Sequence, residues 1–313
     1  MKNFISSFLI FGAFTMAFYI TLLFVWGQYA PPFLKPNIAY IIGAKGHMYS
    51  RINEVQQVQN VDILFLGSSH AYRGFDSRIF TRAGYSSFNL GSSSQTPIQT
   101  HILLDRYLKK IHPKLIIYEV YPEVFCIDGV ESSLDLISND KNDIHSAKMV
   151  LELNHPKVYN TYLFALVNEL FNINEGFKEP KVKHNDTYIS GGYVERKMSH
   201  YIKEASKSDE WKFKKKQLTR FDIVVEGINR KNIPIVFVNA PIVPSLYHSY
   251  SNNDEFDQLI SGKGKYLNFN NLLALDDSLH FYDHHHLNQS GVAIFNKRLI
   301  EILENDGSLS GIK

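Results

Sequence analysis

From Phe4 to Trp26 the chain carries no charged residue and is apolar apart from Ser6, Ser7, Thr15 and Thr21. Hydroxyls of that kind bond back to their own helix. About 20 apolar residues rising ~1.5 Å each cover the roughly 30 Å hydrocarbon core of a bilayer, so the run reads as one transmembrane helix. A cleavable secretory signal has a shorter apolar region closed by a small-x-small site, and Phe24-Val25-Trp26-Gly27-Gln28-Tyr29 offers none. Trp26 and Tyr29 suit an interfacial aromatic anchor. Flanking charges give no orientation, because Lys2 precedes the run while Lys35, Lys45 and Arg51 follow it. The lone Cys126 excludes an internal disulfide and leaves the compartment open. The expected layout is an anchor over residues 1–28, a stalk over 29–60 stiffened by Pro31, Pro32 and Pro36, and a folded domain over 61–306.

Basic and acidic residues, 33 against 31, nearly cancel, which sets the chain apart from nucleic-acid binders. Lys212 to Lys216 is a short basic run beside a helix start and reads as a solvated face. The apolar runs Val61 to Leu66 and Ser86 to Leu90 each stop at a glycine, as buried parallel strands do on meeting a loop. Leu115 to Val120 and Ile233 to Asn239 supply two more strands, and a fifth is expected within Tyr266 to Leu275. Helices are expected from Thr96-Pro97 to Lys110, from Gln217 to Arg230 and from Gln289 to Leu303. This alternation requires crossover connections, hence an α/β domain with a mostly parallel five-stranded sheet covered on both faces. Residues 126–216 are too long for a simple loop. They are expected to form a helical insertion outside the sheet, with one apolar stretch at Tyr159 to Phe171.

Ligands of open parallel sheets bind at the carboxyl ends of the strands, so the chemistry is sought there. After the first strand stands Gly67-Ser68-Ser69-His70, a turn able to expose a hydroxyl. After the second stands Asn89-Leu90-Gly91, where a glycine allows close backbone approach. Near the far end, Phe281-Tyr282-Asp283-His284-His285-His286-Leu287-Asn288 leads into the last helix. An Asp three residues before a His can accept from one ring nitrogen and leave the other free to take a proton from serine. The neighbouring His280, His284 and His285 raise the alternative of zinc. No cysteine pair or His-Glu-x-x-His accompanies them, so neither metal nor cofactor is expected.

With these blocks the sequence resembles the SGNH (GDSL-like) hydrolase superfamily over about Val61 to Leu303. The resemblance implies a three-layer, flavodoxin-like fold. It makes Ser69 of Leu66-Gly67-Ser68-Ser69 the nucleophile, Gly91 an oxyanion donor together with the Ser69 amide, and Asp283 and His286 the base pair. Ser68 stands where many members have Asp. Where the third block supplies an oxyanion Asn, this chain reads Glu119-Val120-Tyr121-Pro122-Glu123, so Tyr121 or a side chain of Ser92 to Gln95 is the expected substitute. Membrane-anchored relatives that act in D-alanylation of teichoic acids or O-acetylation of exopolysaccharides also often lack that Asn. The resemblance therefore implies acyl transfer or ester hydrolysis on an envelope polysaccharide or other acylated substrate through an acyl-Ser69 intermediate, outside the membrane, with a membrane-bound O-acyltransferase as partner. The alternative is a non-catalytic member that binds a glycan or that acyltransferase.

Overall fold

The structure is a computed structural model that describes residues 1–202 and 208–312; residues 203–207 of the expected insertion lie outside the described residues. Helix α1 (Lys2–Tyr29) contains the uncharged run and is the one helix, among the described residues, long and apolar enough to cross a membrane. Its last turns pack on the domain. Tyr19 donates to Asn160 Oδ1 at 2.7 Å, Leu23 and Gly27 are buried, and Phe24 stacks on Phe164.

The expected stalk over 29–60 is corrected. Helix α2 (Met48–Val55) lies within it and buries Met48, Ile52 and Val55 in the core, because these residues fall on one helical face at i, i+4 and i+7. Arg51 on the same helix is fully buried, with its guanidinium bonded to the carbonyls of Gly46 and Gly192. The folded domain therefore includes residues well before 61.

The α/β order follows: β1 (Ile63–Leu66), α3 (Ser69–Gly74), α4 (Ser77–Arg82), β2 (Ser87–Asn89), α5 (Pro97–Ile111) and β3 (Leu115–Glu119). Then come α6 (Val130–Asn139), α7 (Ile144–Leu153), α8 (Pro156–Leu170), β4 (Val182–Lys183), β5 (Asp186–Ile189) and β6 (Tyr193–Arg196). The chain closes with α9 (Lys215–Asn229), β7 (Ile235–Asn239), α10 (Pro244–Tyr247), α11 (Asn253–Ser261), β8 (Lys265–Asn268), α12 (Phe269–Leu272) and α13 (Gln289–Asn305). Five strands form one parallel sheet in the order β2-β1-β3-β7-β8. This is the expected three-layer sheet. Strand alternation divides its core: Leu64 and Leu66 face the layer containing α5 and α9, while Ile63 and Phe65 face the layer containing α13. Burying each such side chain contributes ~1.5–3 kcal/mol, which is why continuous apolar runs end up as central strands.

At the edges one expectation holds and one changes. The fifth strand, Lys265–Asn268, falls at the start of the expected stretch and stops at Asn268, whose side chain accepts from Asn270 N–H and starts α12. The insertion is not purely helical, because β4, β5 and β6 form a separate antiparallel meander after α6, α7 and α8. Gly191 of that meander accepts from Asn89 N–H at 2.8 Å, which places it against the end of β2.

Candidate active site

The order β2-β1-β3 makes the chain leave the sheet in opposite directions from β1 and β3, and the crevice at their carboxyl ends is where such sheets bind ligands. Gly67 directly follows β1 with φ +135°, a conformation L side chains rarely adopt. The chain then turns into α3. Ser68 caps that helix by accepting from His70 N–H, and Ser69 is its first residue.

At the other end of the sequence, Asp283 Oδ1 accepts from the amides of His285 and His286 at 3.0 and 2.8 Å. Asn288 caps α13 by accepting from Ser290 and Gly291 N–H, and it donates to the Leu279 carbonyl at 2.8 Å. A local turn and a helix cap thus hold the loop rigid on both sides of His286.

The three residues that the resemblance names meet. His286 Nε2 lies 2.8 Å from Ser69 Oγ, and His286 Nδ1 lies 2.9 Å from Asp283 Oδ2. The His286 ring is sandwiched between Tyr282, parallel at 5.4 Å, and His70 at 4.9 Å. Burial holds the His286 pKa below the ordinary histidine value, although Asp283 opposes the shift. For Asp283 burial works against the charge, but the hydrogen bond and positive charge of His286 outweigh it and keep the carboxyl well below the usual range. Neutral His286 then donates Nδ1–H to the Asp283 carboxylate and accepts from the Ser69 hydroxyl through Nε2.

The Gly91 amide donates to Asn89 Oδ1 at 3.0 Å. Its lack of a side chain serves packing, since a Cβ there would stand 2.9 Å from Ala71 Cβ and 3.0 Å from the carbonyl oxygens of Gly67 and Ser68. Tyr121 is buried with its ring 4.2 Å from that of His70, and its hydroxyl is hydrogen-bonded to the Glu123 side chain. It walls the cleft. Within the loop from Ser92 to Gln95, Ser92 Oγ donates to Gln95 Oε1, and Gln95 in turn donates to Thr100. Among the described residues the Ser69 N–H has no acceptor.

A group the sequence reading missed sits behind the nucleophile. Glu119, the last residue of β3, accepts from Ser68 N–H at 2.8 Å and lies 2.9 Å from Ser68 Oγ. Ser68 Oγ is 3.1 Å from His70 Nδ1, and His70 Nε2 donates to the His285 carbonyl at 2.7 Å. A hydrogen-bonded chain thus joins β3, the nucleophile turn and the histidine loop. The meander adds support from outside. Arg73 on α3 pairs with Asp186 of β5 at 2.7 Å and lies 5.8 Å over the ring of Tyr282, which stacks on His286.

His70, His285 and His286 bring ligand-type nitrogens within 4.8 Å of one another. They fit a metal poorly, because both His286 nitrogens and His70 Nε2 already hold partners that an ion would displace. Burial, with the charge of His286, pushes the His285 pKa down to about 3, which keeps its ring neutral.

Ser69, His70, Ser94, Tyr121, Glu123 and His285 line a cleft of about 270 Å³. It shares Asp128 and Glu131 with a neighbouring, more apolar cleft of about 430 Å³ that includes Ile41, Val130 and Leu134. Lys45, from the segment that leaves α1, pairs with Glu131 at this boundary.

Together these features define a class by form: a parallel three-layer α/β sheet with a Ser–His–Asp arrangement at its carboxyl edge. No protein-family model matches the sequence, and no curated protein matches it. Among solved structures, the chain is similar to a GDSL-like lipase from Bacteroides thetaiotaomicron at 11% identity and a TM-score of 0.41, covering 83% of this chain and 98% of that one. A chain from Bacteroides fragilis assigned as an acylhydrolase gives 9% identity and 0.40, covering 82% and 94%. A gut microbial diltiazem-metabolizing enzyme gives 16% and 0.28, covering 78% of this chain and 47% of its own.

Proposed function

We propose that this chain is a membrane-anchored serine acyl-transfer enzyme of the SGNH type. The observation that carries the reading is Ser69 Oγ at 2.8 Å from His286 Nε2, with Asp283 on the other ring nitrogen. Ser69 Oγ attacks the carbonyl carbon of an ester and passes its proton to His286 Nε2. The oxyanion that forms is received by the Ser69 amide at the start of α3. As the tetrahedral intermediate collapses, the imidazolium returns the proton to the leaving oxygen and an acyl-Ser69 ester remains. An incoming hydroxyl, from water or a glycan, then repeats the sequence in reverse, and its proton passes through His286 to Ser69. Asp283 keeps its charge throughout and stabilises the imidazolium.

A glycan or other envelope polymer is the acceptor we favour, with the domain on the outer side and a membrane-bound O-acyltransferase as partner. The support is local. Helix α1 packs on the domain from Tyr19 onward, and Lys45, soon after it, reaches the edge of the site clefts. The cleft would thereby stay close to a bilayer crossed by α1.

The decisive experiment treats the full chain in detergent with a panel of activated esters and searches for acyl-Ser69 by mass spectrometry. An adduct in the wild type that Ser69→Ala abolishes is the expected result. A folded protein that gives no adduct with any ester overturns the catalytic reading in favour of glycan or partner binding.

A further inference from the structure

The chain from Glu119 to the His285 carbonyl can be counted hydrogen by hydrogen. It contains three contacts in series: Glu119 Oε2 to Ser68 Oγ at 2.9 Å, Ser68 Oγ to His70 Nδ1 at 3.1 Å, and His70 Nε2 to His285 O at 2.7 Å. Each needs one hydrogen. A carbonyl oxygen only accepts, so His70 Nε2 must carry a proton. The Ser68 hydroxyl supplies a second. With an ionised Glu119 and a neutral His70 the supply ends there, and one contact would set two lone pairs against each other. The third hydrogen therefore sits either on Glu119 or on His70 Nδ1.

Surroundings decide between the two. His70 is packed against Tyr121, His285 and His286, so a second proton would make it a cation buried among three rings. Burial first, then the charges of His286 and His285, push its pKa well down; Asp283 and the bond to the His285 carbonyl oppose them. Glu119 is 1% exposed, and among the described residues no lysine or arginine is bonded to it. The titratable groups near it are Tyr118 and Tyr121, with Glu123 beyond. Its Oε1 has no hydrogen bond of ordinary geometry among the described residues, a poor setting for a full negative charge. Burial raises its pKa to about 7, outweighing the hydrogen bonds from Ser68 and from the Tyr121 backbone that resist it.

We infer that Glu119 is a neutral carboxylic acid that acts as a positioning residue, donating its proton to Ser68 Oγ so that Ser68 and His70 bind the nucleophile turn to the His285 carbonyl. The consequence lies one residue away on each side. Ser68 precedes Ser69 and His285 precedes His286, so the chain fixes the separation of the two groups that exchange a proton. Ionisation of Glu119 removes one of the three hydrogens and releases that link. The positioning role rests on the acyl-transfer reading, whereas the location of the proton does not.

Two measurements on the full chain in detergent separate these claims. Infrared difference spectra, wild type minus Glu119→Gln, should show the C=O band of a protonated acid at pH 6, fading with a midpoint near 7. A carboxylate signal at pH 6 would overturn the inference. The second measurement is the pH profile of Ser69 acylation by p-nitrophenyl acetate. In the wild type the rate should fall about tenfold per pH unit above the midpoint. Glu119→Gln, which cannot ionise, should lose that falling limb. If both proteins label with the same alkaline profile, Glu119 does not position the site. If the acid band is present while Ser69 never labels, the proton stands where we place it and the acyl-transfer reading is the part that fails.

Discussion

Gly67 and Glu119 compete for the same space: a Cβ on Gly67 would stand 2.5 Å from Glu119 Oε2 and 2.9 Å from the Glu119 carbonyl oxygen. Residue 67 also has φ +135°. Gly67→Ala therefore incurs both backbone strain and overpacking, each of about 1–3 kcal/mol. Urea unfolding should register that loss, and any folded protein should acylate Ser69 poorly because the turn beneath it has moved. Gly227→Ala is the control. There a Cβ meets nothing within 4 Å inside α9, and exchanging a helical glycine for alanine should stabilise by roughly 0.5–1 kcal/mol. Equal effects at the two positions would refute the steric argument.

Ser69 and His286 stand 217 positions apart in the chain yet share a 2.8 Å contact. Groups that act on one proton in one step are not additive. Ser69→Ala and His286→Ala should each remove nearly all esterase turnover, and the double variant should be scarcely slower than either. If the two losses multiply, serine and histidine work independently.

The acid limb of the pH profile follows from burial of His286. The base works only when neutral, so the rate rises with pH through the His286 pKa, which burial holds below 6.5. Ester turnover should accordingly persist below the pH at which a free histidine would be half protonated. Asp283→Asn removes the carboxylate that raises this pKa, so the limb should move lower still while the rate drops by up to about 10⁴-fold. A limb that shifts upward in that variant would show that Asp283 does not stabilise the imidazolium.

Much of this was legible because it obeys short-range rules. The central strands announce themselves as runs that are apolar on both faces, such as Ile63 to Leu66, and Asp283 reaches His286 within a single turn. Helix α2 was hidden because Tyr49, Ser50 and Arg51 break its apolar pattern, and nothing local says that Arg51 is buried against two carbonyls. The meander of β4, β5 and β6 is built from short, half-buried strands in a polar stretch, where alternation is weak. The bond made by the Gly91 amide was legible for a different reason. An Asn two residues earlier can bond the backbone ahead of it, and Asn89 does so, so the signal that the amide was taken stood in the sequence beside the glycine. Glu119 gave no such signal, since its partner Ser68 lies 51 positions away and only the pairing of β1 with β3 brings them together.

The last prediction concerns which of three consecutive histidines is the base, and the structure gives each a different task. His284 is exposed and stacks on His285 at 4.2 Å. His285 lines the cleft with its side chain, while its carbonyl, which survives any substitution, receives His70. Only His286 touches Ser69 and Asp283 together. His284→Ala should thus leave Ser69 acylation nearly unchanged. His285→Ala should alter KM more than kcat, because it reshapes the cleft wall without removing a proton acceptor. His286→Ala should abolish turnover, and added imidazole should restore part of it, since the space vacated beside Ser69 is bounded by Tyr282 and His70 and matches one ring. Rescue separates loss of a base from loss of fold, because free imidazole cannot repair a collapsed loop. Should imidazole rescue His285→Ala or His284→Ala while His286→Ala stays active without it, the base has been assigned to the wrong histidine.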